Sequence, residues 1–405
     1  MIKKIGVFCI LFPFVFSAMN LQGFVSWYVS NSLGQVFAYA NLGIIILGIS
    51  ILTKEKLNYS STAKLWFLFY LFYYFFGLIS SVRFNRFDYF FQSIIPVIYF
   101  IGFLVFLRNT NYRLLFLKVM TIVFILSSFF LILFYKIGYD VDTLGSPEYG
   151  IDRAEGLFGD ANNSCLIALL TFVISYMNFK SYNLTTRIIR VILLIFIFYS
   201  IFITFSTTGL FIFSIIFILV NYEFFSKERL LLLGVFAPIF YGIMINLNTI
   251  TAGIDLTRLQ RVKIDNIVNL LSLNTAEIDS SGRDELLTRL FEYVLENPLI
   301  GNSIGFGNSM SGHNTFIGIW ADSGFLTFIV FLLLLFTYFA RTFKTHKKIK
   351  FFNLSFLIIL SIYMVSLQTV INQPYLMAVF VYLAYLIDTN EIPEEINFNN
   401  LFSFK

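Results

Sequence analysis

Ionisable side chains are scarce in this chain, and the few beside its apolar runs are where chemistry could be done. Lys and Arg number 28, Asp and Glu 23 and His 2, in 405 residues. His313 stands in Ser311-Gly312-His313-Asn314, directly before an apolar stretch. A helix start there disfavours imidazolium, which would keep the ring neutral and able to accept a proton. The plainer alternative is an interfacial histidine with a backbone partner. His346 lies in the basic run Arg341–Lys350, where a solvated loop explains it.

Arg283 opens a helical run that continues from Glu285 to Asn297, and Ser281 with Asp284 has the spacing of a capping box. Pro298 and Gly301 follow as stop signals. At about 100° per residue, Leu286, Leu287, Leu290, Phe291, Val294 and Leu295 share one sector. Arg283 falls inside that sector, while Arg289, Glu292 and Glu296 lie opposite. Arg283 thus points at whatever the helix packs on. It either snorkels past the apolar face or pairs with a carboxylate, or it meets a phosphate, whose oxygens suit the fixed guanidinium fork. Arg289 points to water or to the loop.

A second polar stretch runs from Asp152-Arg153-Ala154-Glu155 through Phe158-Gly159-Asp160-Ala161-Asn162-Asn163-Ser164 into an apolar run. Such a polar helix mouth faces a wet cavity rather than lipid. Arg153 is therefore a second candidate phosphate or sugar ligand, against a simple pair with Asp152 or Glu155. Asp322 comes roughly two turns into the run after His313, about 180° around an ideal helix from it, so the two should not touch. A lone carboxylate at that depth is costly and tends to face a cavity. Gly318 and Gly324 nearby permit close packing or a local break.

These residues must be held by elements that live in lipid. Hydrophobic residues make up 58% of the chain, aromatics 20% and charged residues 13%, the last about half the share of an ordinary soluble domain. The 53 Phe residues exceed what a water-surrounded core could hide. The expected fold is all-α, a polytopic integral membrane protein of about twelve transmembrane helices. Hydropathy places them near 5–20, 33–52, 65–81, 89–107, 114–135, 158–178, 188–205, 209–225, 230–247, 314–339, 351–371 and 374–388. The first is short, and Asn372-Gln373-Pro374 alone separates the last two. The organisation read from this is nine helices in 1–247, a large, partly helical outside loop over 248–312, three helices in 313–390, and a cytoplasmic tail 391–405. With both termini inside, 19 of the 28 basic residues fall in cytoplasmic segments, and acidic residues split 7 inside to 16 outside. Lys3-Lys4 before the first run also resembles a signal peptide, but Ser17-Ala18-Met19 is a poor cleavage site and a retained anchor is expected. Cys9 and Cys165 offer neither a metal spacing nor a disulfide framework. No nucleotide-sugar site, metal-binding carboxylate pair or nucleic-acid-binding feature is evident.

Together these stretches resemble the O-antigen polymerase and O-antigen ligase family of bacterial membrane glycosyltransferases. The resemblance rests on Arg283, Asn297-Pro298-Leu299-Ile300-Gly301, Gly305-Phe306-Gly307, His313-Asn314 and Asp322-Ser323-Gly324-Phe325, and on the segment Arg153 to Asn163. It covers roughly 60 residues by motif, with topology matching along the chain. Asp322 stands where Glu is common in the family, and Ser206-Thr207-Thr208-Gly209 lacks the arginine that members often carry there. The resemblance implies a polyprenyl-pyrophosphate-linked oligosaccharide as donor, handled on the outer face of the cytoplasmic (inner) membrane. It implies His313 as base and Arg283 as the leaving-group cation, with Arg153, Arg289, Asn314, Asp322 and Asn162 as substrate-binding residues, and no metal or cofactor. Polymerase is the expected activity, with ligation to lipid A–core as the variant. The lipid bilayer, a chain-length regulator and a flippase are the partners it brings to mind. A lipid-oligosaccharide flippase is the alternative of another class, but two related halves and midplane ionisable residues, its usual marks, are not clear here.

Overall fold

The computed structural model describes residues 2–53, 58–139, 153–222, 238–239, 241–254, 256–274, 277, 282–368, 370–391, 396 and 401. Within them the longer elements are all helices. In order these are α1 Ile2–Ala18, α2 Leu21–Tyr28, α3 Asn31–Leu52, α4 Leu65–Phe84, α5 Phe90–Phe106, α6 Thr110–Ile137 and α7 Ala161–Asn178. Then come α8 Leu184–Ile203, α9 Thr207–Val220, α10 Arg258–Leu271, α11 Arg283–Glu296, α12 Thr315–Thr342, α13 Lys347–Ser366 and α14 Pro374–Thr389.

Six of these helices are long and apolar enough to cross a membrane, or seven if α1 and α2, bent by 57° at their junction, form one broken span. The twelve spans read from hydropathy are not reached. At 17, 14 and 16 residues, α5, α9 and α14 fall short, because about 20 residues at 1.5 Å each are needed to cover the hydrocarbon. Most of the first half of the expected span 230–247 lies outside the described residues. The large loop between α9 and α12 carries α10 and α11, and α2 is a helix that hydropathy did not suggest.

Packing explains why short helices are tolerated. From Tyr375 to Ile387, α14 is buried at every position, as expected of a helix that is apolar all round and lies inside a bundle. Most of α7 is buried likewise. α1 and α3 approach through glycines: a Cβ on Gly6 would meet Ile51, and one on Gly48 would meet Cys9 and Ile10.

Polar contacts gather the helix ends into two groups. At one end Asp388 accepts from Ser60 (2.6 Å), from the backbone and side chain of Thr62 (2.9 and 2.5 Å) and from Arg341 (3.4 Å). Arg113 pairs with Glu391 at 2.9 Å nearby in sequence. At the other end the Asn20 amide donates to the Leu157 carbonyl (2.9 Å), that of Gln373 to Asn163 (2.6 Å), and the backbone N–H of Ile304 to the Ser81 hydroxyl (3.1 Å).

At this second end α12 is broken. Ser323 (φ −138°, ψ 15°) and Gly324 (φ 78°, ψ 177°) leave the helical region. An unbroken helix would bond the N–H of Phe325 to the carbonyl of Ala321. Here the segment 297–302 takes both halves of that bond: Phe325 N–H donates to the Pro298 carbonyl (2.8 Å), and Asn302 N–H donates to the Ala321 carbonyl (2.7 Å). The indole N–H of Trp320 also donates to Pro298, at 2.9 Å. Gly301 (φ +77°) is required, since a Cβ there would lie 2.5 Å from the backbone of Asp322. The local break that Gly324 permits is thus present, and the Asn-Pro-Leu-Ile-Gly stretch is what fills it.

Candidate functional site

α11 is the first positioning element. Leu290 and Val294 are its buried residues, and a Cβ on Gly312 would strike the Leu290 side chain at 2.3 Å, so this face lies on the turn that leads to His313. Arg283 is seven residues before Leu290, two turns earlier on the same face. Its side chain is half-buried and Arg289 is exposed, in keeping with the sectors read from sequence. Ser281 of the expected capping box lies outside the described residues; the helix starts at Gly282 in a left-handed conformation, with no side-chain cap.

His313 is half-buried and left-handed (φ 47°) between Gly312 and Asn314. Asn314 caps α12 by accepting from Ile317 N–H (3.0 Å), and its own N–H donates to Gln368 (3.2 Å). The cap fixes the turn, and the turn presents the ring. Burial first, then the positive charge of Arg283, lowers the His313 pKa below the ordinary 6.5, with Asp160 opposing. The ring is therefore neutral at pH 7. Burial and the arginine are the main causes here, where sequence had pointed to the helix start.

Arg153 comes from the connection before α7. Its Nε donates to the Thr204 carbonyl (2.9 Å), and one Nη reaches the Asn162 side-chain oxygen at 3.4 Å. That same oxygen accepts from the Ser206 hydroxyl at 2.8 Å, and Ser206 caps α9 by accepting from Gly209 N–H at 3.1 Å. The Ser-Thr-Thr-Gly turn thus orients Arg153 and Asn162, although it lacks a cation of its own. Burial lowers the Arg153 pKa from its ordinary value, Asp160 opposes this, and Arg283 reinforces it. Arg283 and Asp160 are thereby within electrostatic reach of both Arg153 and His313, and the four residues come from three separate stretches of chain.

Among the described residues, Arg283 and His313 make no side-chain hydrogen bond or ion pair, and the second Nη of Arg153 makes none. Two guanidinium groups near enough to disfavour each other's charge, with free donors, form a place where an anion would be stabilised. A neutral imidazole beside them can take a proton.

Asp322 stands apart from this group. It is buried, accepts from the Tyr73 hydroxyl (2.7 Å) and from Gly307 N–H (2.6 Å), and so ties α4 to the one-turn helix Phe306–Ser309. As expected, it does not touch His313. Gly318 packs on Gln368 and on Gly307. Sequence reasoning missed Asp160, which looks like an ordinary helix cap and does accept from Asn163 N–H at 2.7 Å. It also missed Gln368 and the Ser206 turn as orienting groups.

No family model matches this chain, and no curated protein matches it significantly.

Proposed function

We propose that this chain is a membrane glycosyltransferase of the O-antigen polymerase type, joining polyprenyl-pyrophosphate-linked oligosaccharide units on the outer side of the bacterial cytoplasmic membrane. The observation that carries this reading is the pair of guanidinium groups on Arg153 and Arg283, with free donors, beside a neutral His313. The reading counts α5, α9, α14 and 230–247 as further crossings, which under the inside-positive charge split would put that pair outside.

In this reaction a hydroxyl of the incoming unit attacks the anomeric carbon of the lipid-linked donor. The new C–O bond forms as the bond from that carbon to the pyrophosphate oxygen breaks. His313 takes the hydroxyl proton, and Arg153 and Arg283 accept the developing charge on the pyrophosphate. Asn162 steadies Arg153 and Asn314 fixes the turn that carries the base. Asp322 acts through the Gly-rich loop, and Arg289 is left at the rim.

The test is His313→Ala, scored for polymer made from lipid-linked repeat units and for protein level in the membrane. General bases contribute roughly 10²–10⁴-fold, so polymer should vanish while the protein accumulates normally. In cells lacking the wild-type chain, single-unit caps identify a polymerase; long lipid-linked chains left unattached identify a ligase instead. Near-normal polymer from His313→Ala would remove the base and with it the mechanism.

A further inference from the structure

A cavity of about 570 Å³ opens at the same end of the bundle, lined from α1, α2, α3, α5, the 158–163 and 305–308 stretches and the start of α14. That volume is within the range of about 300–1,000 Å³ for small-molecule sites. Arg153, Arg283 and His313 do not line it, yet it shares walls with their site. Asn162 bonds Arg153, and the next residue, Asn163, lines the cavity and bonds Gln373. Gly305 and Asn308 line it from the start of the loop that ends at His313.

Among the described residues, no side chain that is charged at neutral pH lines it. Its polar groups are amides and hydroxyls, with the indole of Trp27 and several tyrosines between them. α3 shows how deliberate the pattern is. Asn31, Gln35, Ala38 and Asn41 line the cavity at helical spacing from an otherwise apolar helix. Asn41 lies ten residues in, about 15 Å along the axis at 1.5 Å per residue. It is 4% exposed, and among the described residues its amide makes no hydrogen bond. The Asn41 amide, on a residue buried within α3, is thus left free to bond whatever fills the cavity. Gln22, Gln35 and Gln92 present further amides from its exposed rim.

We infer that this cavity binds the uncharged sugars of the substrate, neutral or N-acetylated. Amides both donate and accept, as sugar hydroxyls require, and aromatic faces cover the apolar face of a pyranose ring. A uronate or a free amino sugar would bury a charge with no counter-charge, the costliest form of burial. The cavity thus selects the repeat unit by neutrality, while the arginines hold its pyrophosphate. The inference rests on the reading above that this chain handles lipid-linked sugars.

The test uses the full chain in lipid nanodiscs and native mass spectrometry. The panel holds N,N′-diacetylchitobiose with neutral hexose and 6-deoxyhexose disaccharides, against digalacturonate and de-acetylated chitobiose. Inorganic pyrophosphate is titrated on the same preparation. At least one neutral member should be retained in preference to the charged ones. Asn41→Leu and Gln92→Leu should each weaken it about tenfold, without altering pyrophosphate binding. Asn41→Leu is apolar in an apolar helix, and an unchanged unfolding midpoint checks its fold. Retention of no neutral saccharide, preference for a charged one, or indifference to both substitutions overturns the inference. Saccharide binding that survives with no pyrophosphate binding overturns the arginine site instead and leaves this cavity standing.

Discussion

Replacing Gly324 by alanine probes the break in α12 directly. With φ at 78° and ψ at 177°, Gly324 occupies a region that only glycine enters at low cost, and holding another residue there costs about 1–3 kcal/mol. The added Cβ would lie 2.0 Å from the Leu299 carbonyl oxygen, 2.4 Å from its carbon and 2.7 Å from the nitrogen of Ile300. These are backbone atoms and cannot rotate away. The 297–302 segment must retreat, which loosens the bonds from Phe325 N–H to Pro298 and from Asn302 N–H to Ala321. A buried backbone group left unpaired costs about 1–3 kcal/mol. Destabilisation of about 3 kcal/mol or more is expected. Gly43 in α3 serves as control, since a Cβ there meets nothing within 4 Å, and alanine in a helix gains about 0.5–1 kcal/mol over glycine. Thermal unfolding of the purified protein in detergent compares the two, with Trp320 fluorescence as a local reporter because its indole bonds Pro298. Equal midpoints for Gly324→Ala and Gly43→Ala would refute the interlock.

Two further predictions concern the charge site and the topology. A neutral His313 is the active base, so rate should be lost as pH falls through its lowered pKa, placing the acid limb below 6.5. Removing the cation in Arg283→Gln lets that pKa rise, and the limb of the residual activity should move to higher pH; Arg289→Gln, on the exposed face, should leave it in place. A limb that does not move with Arg283→Gln would show that the two groups do not interact. For topology, cysteine at exposed Asn274 or Ser309 should react with a membrane-impermeant thiol reagent in spheroplasts, and cysteine at exposed Lys344 should not. Labelling of Lys344→Cys alone would invert the chain.

How legible this was depended on the type of signal. The inward face of α11 could be read in part: apolar periodicity picked out Leu290 and Val294, which are buried, together with Phe291 and Leu295, which are exposed. Arg153, Arg283 and His313 could be picked out as scarce charges at helix mouths, but their mutual placement could not, because three separate connections contribute and no local pattern encodes their meeting. Helix lengths were overestimated where apolar residues continue past the end of a helix: the expected span 209–225 outruns α9, which stops at Val220. α2 escaped because Asn20, in a left-handed conformation, turns the chain between two apolar runs. The neutral cavity left the faintest trace. A few amides in an apolar helix look like tolerated exceptions until their common face on α3 is noticed.

The same geometry divides the residues behind the family resemblance into two kinds. Asn297 to Gly301 and Asp322 to Phe325 are one interlocked unit: the first segment fills the break in the second, and Asp322 fastens the Gly-rich loop to α4. None of these residues needs to touch a substrate for its identity to matter. Gly301 and Gly324 permit a backbone approach that any side chain would block. What they carry is the turn before α12, held by Asn314 and packed against Leu290 of α11, and so the relative placement of His313 and Arg283. Changes within the interlock should therefore lower stability and activity together. Changes at Arg283 or His313, whose side chains make no bond among the described residues, should lower activity alone, whereas Arg153 also bonds the Thr204 carbonyl and Asn162 and its loss should lower stability as well. If Arg283→Gln or His313→Ala unfolded as readily as Gly324→Ala, the cluster would belong to the scaffold, and the argument for an anion site would lose its footing.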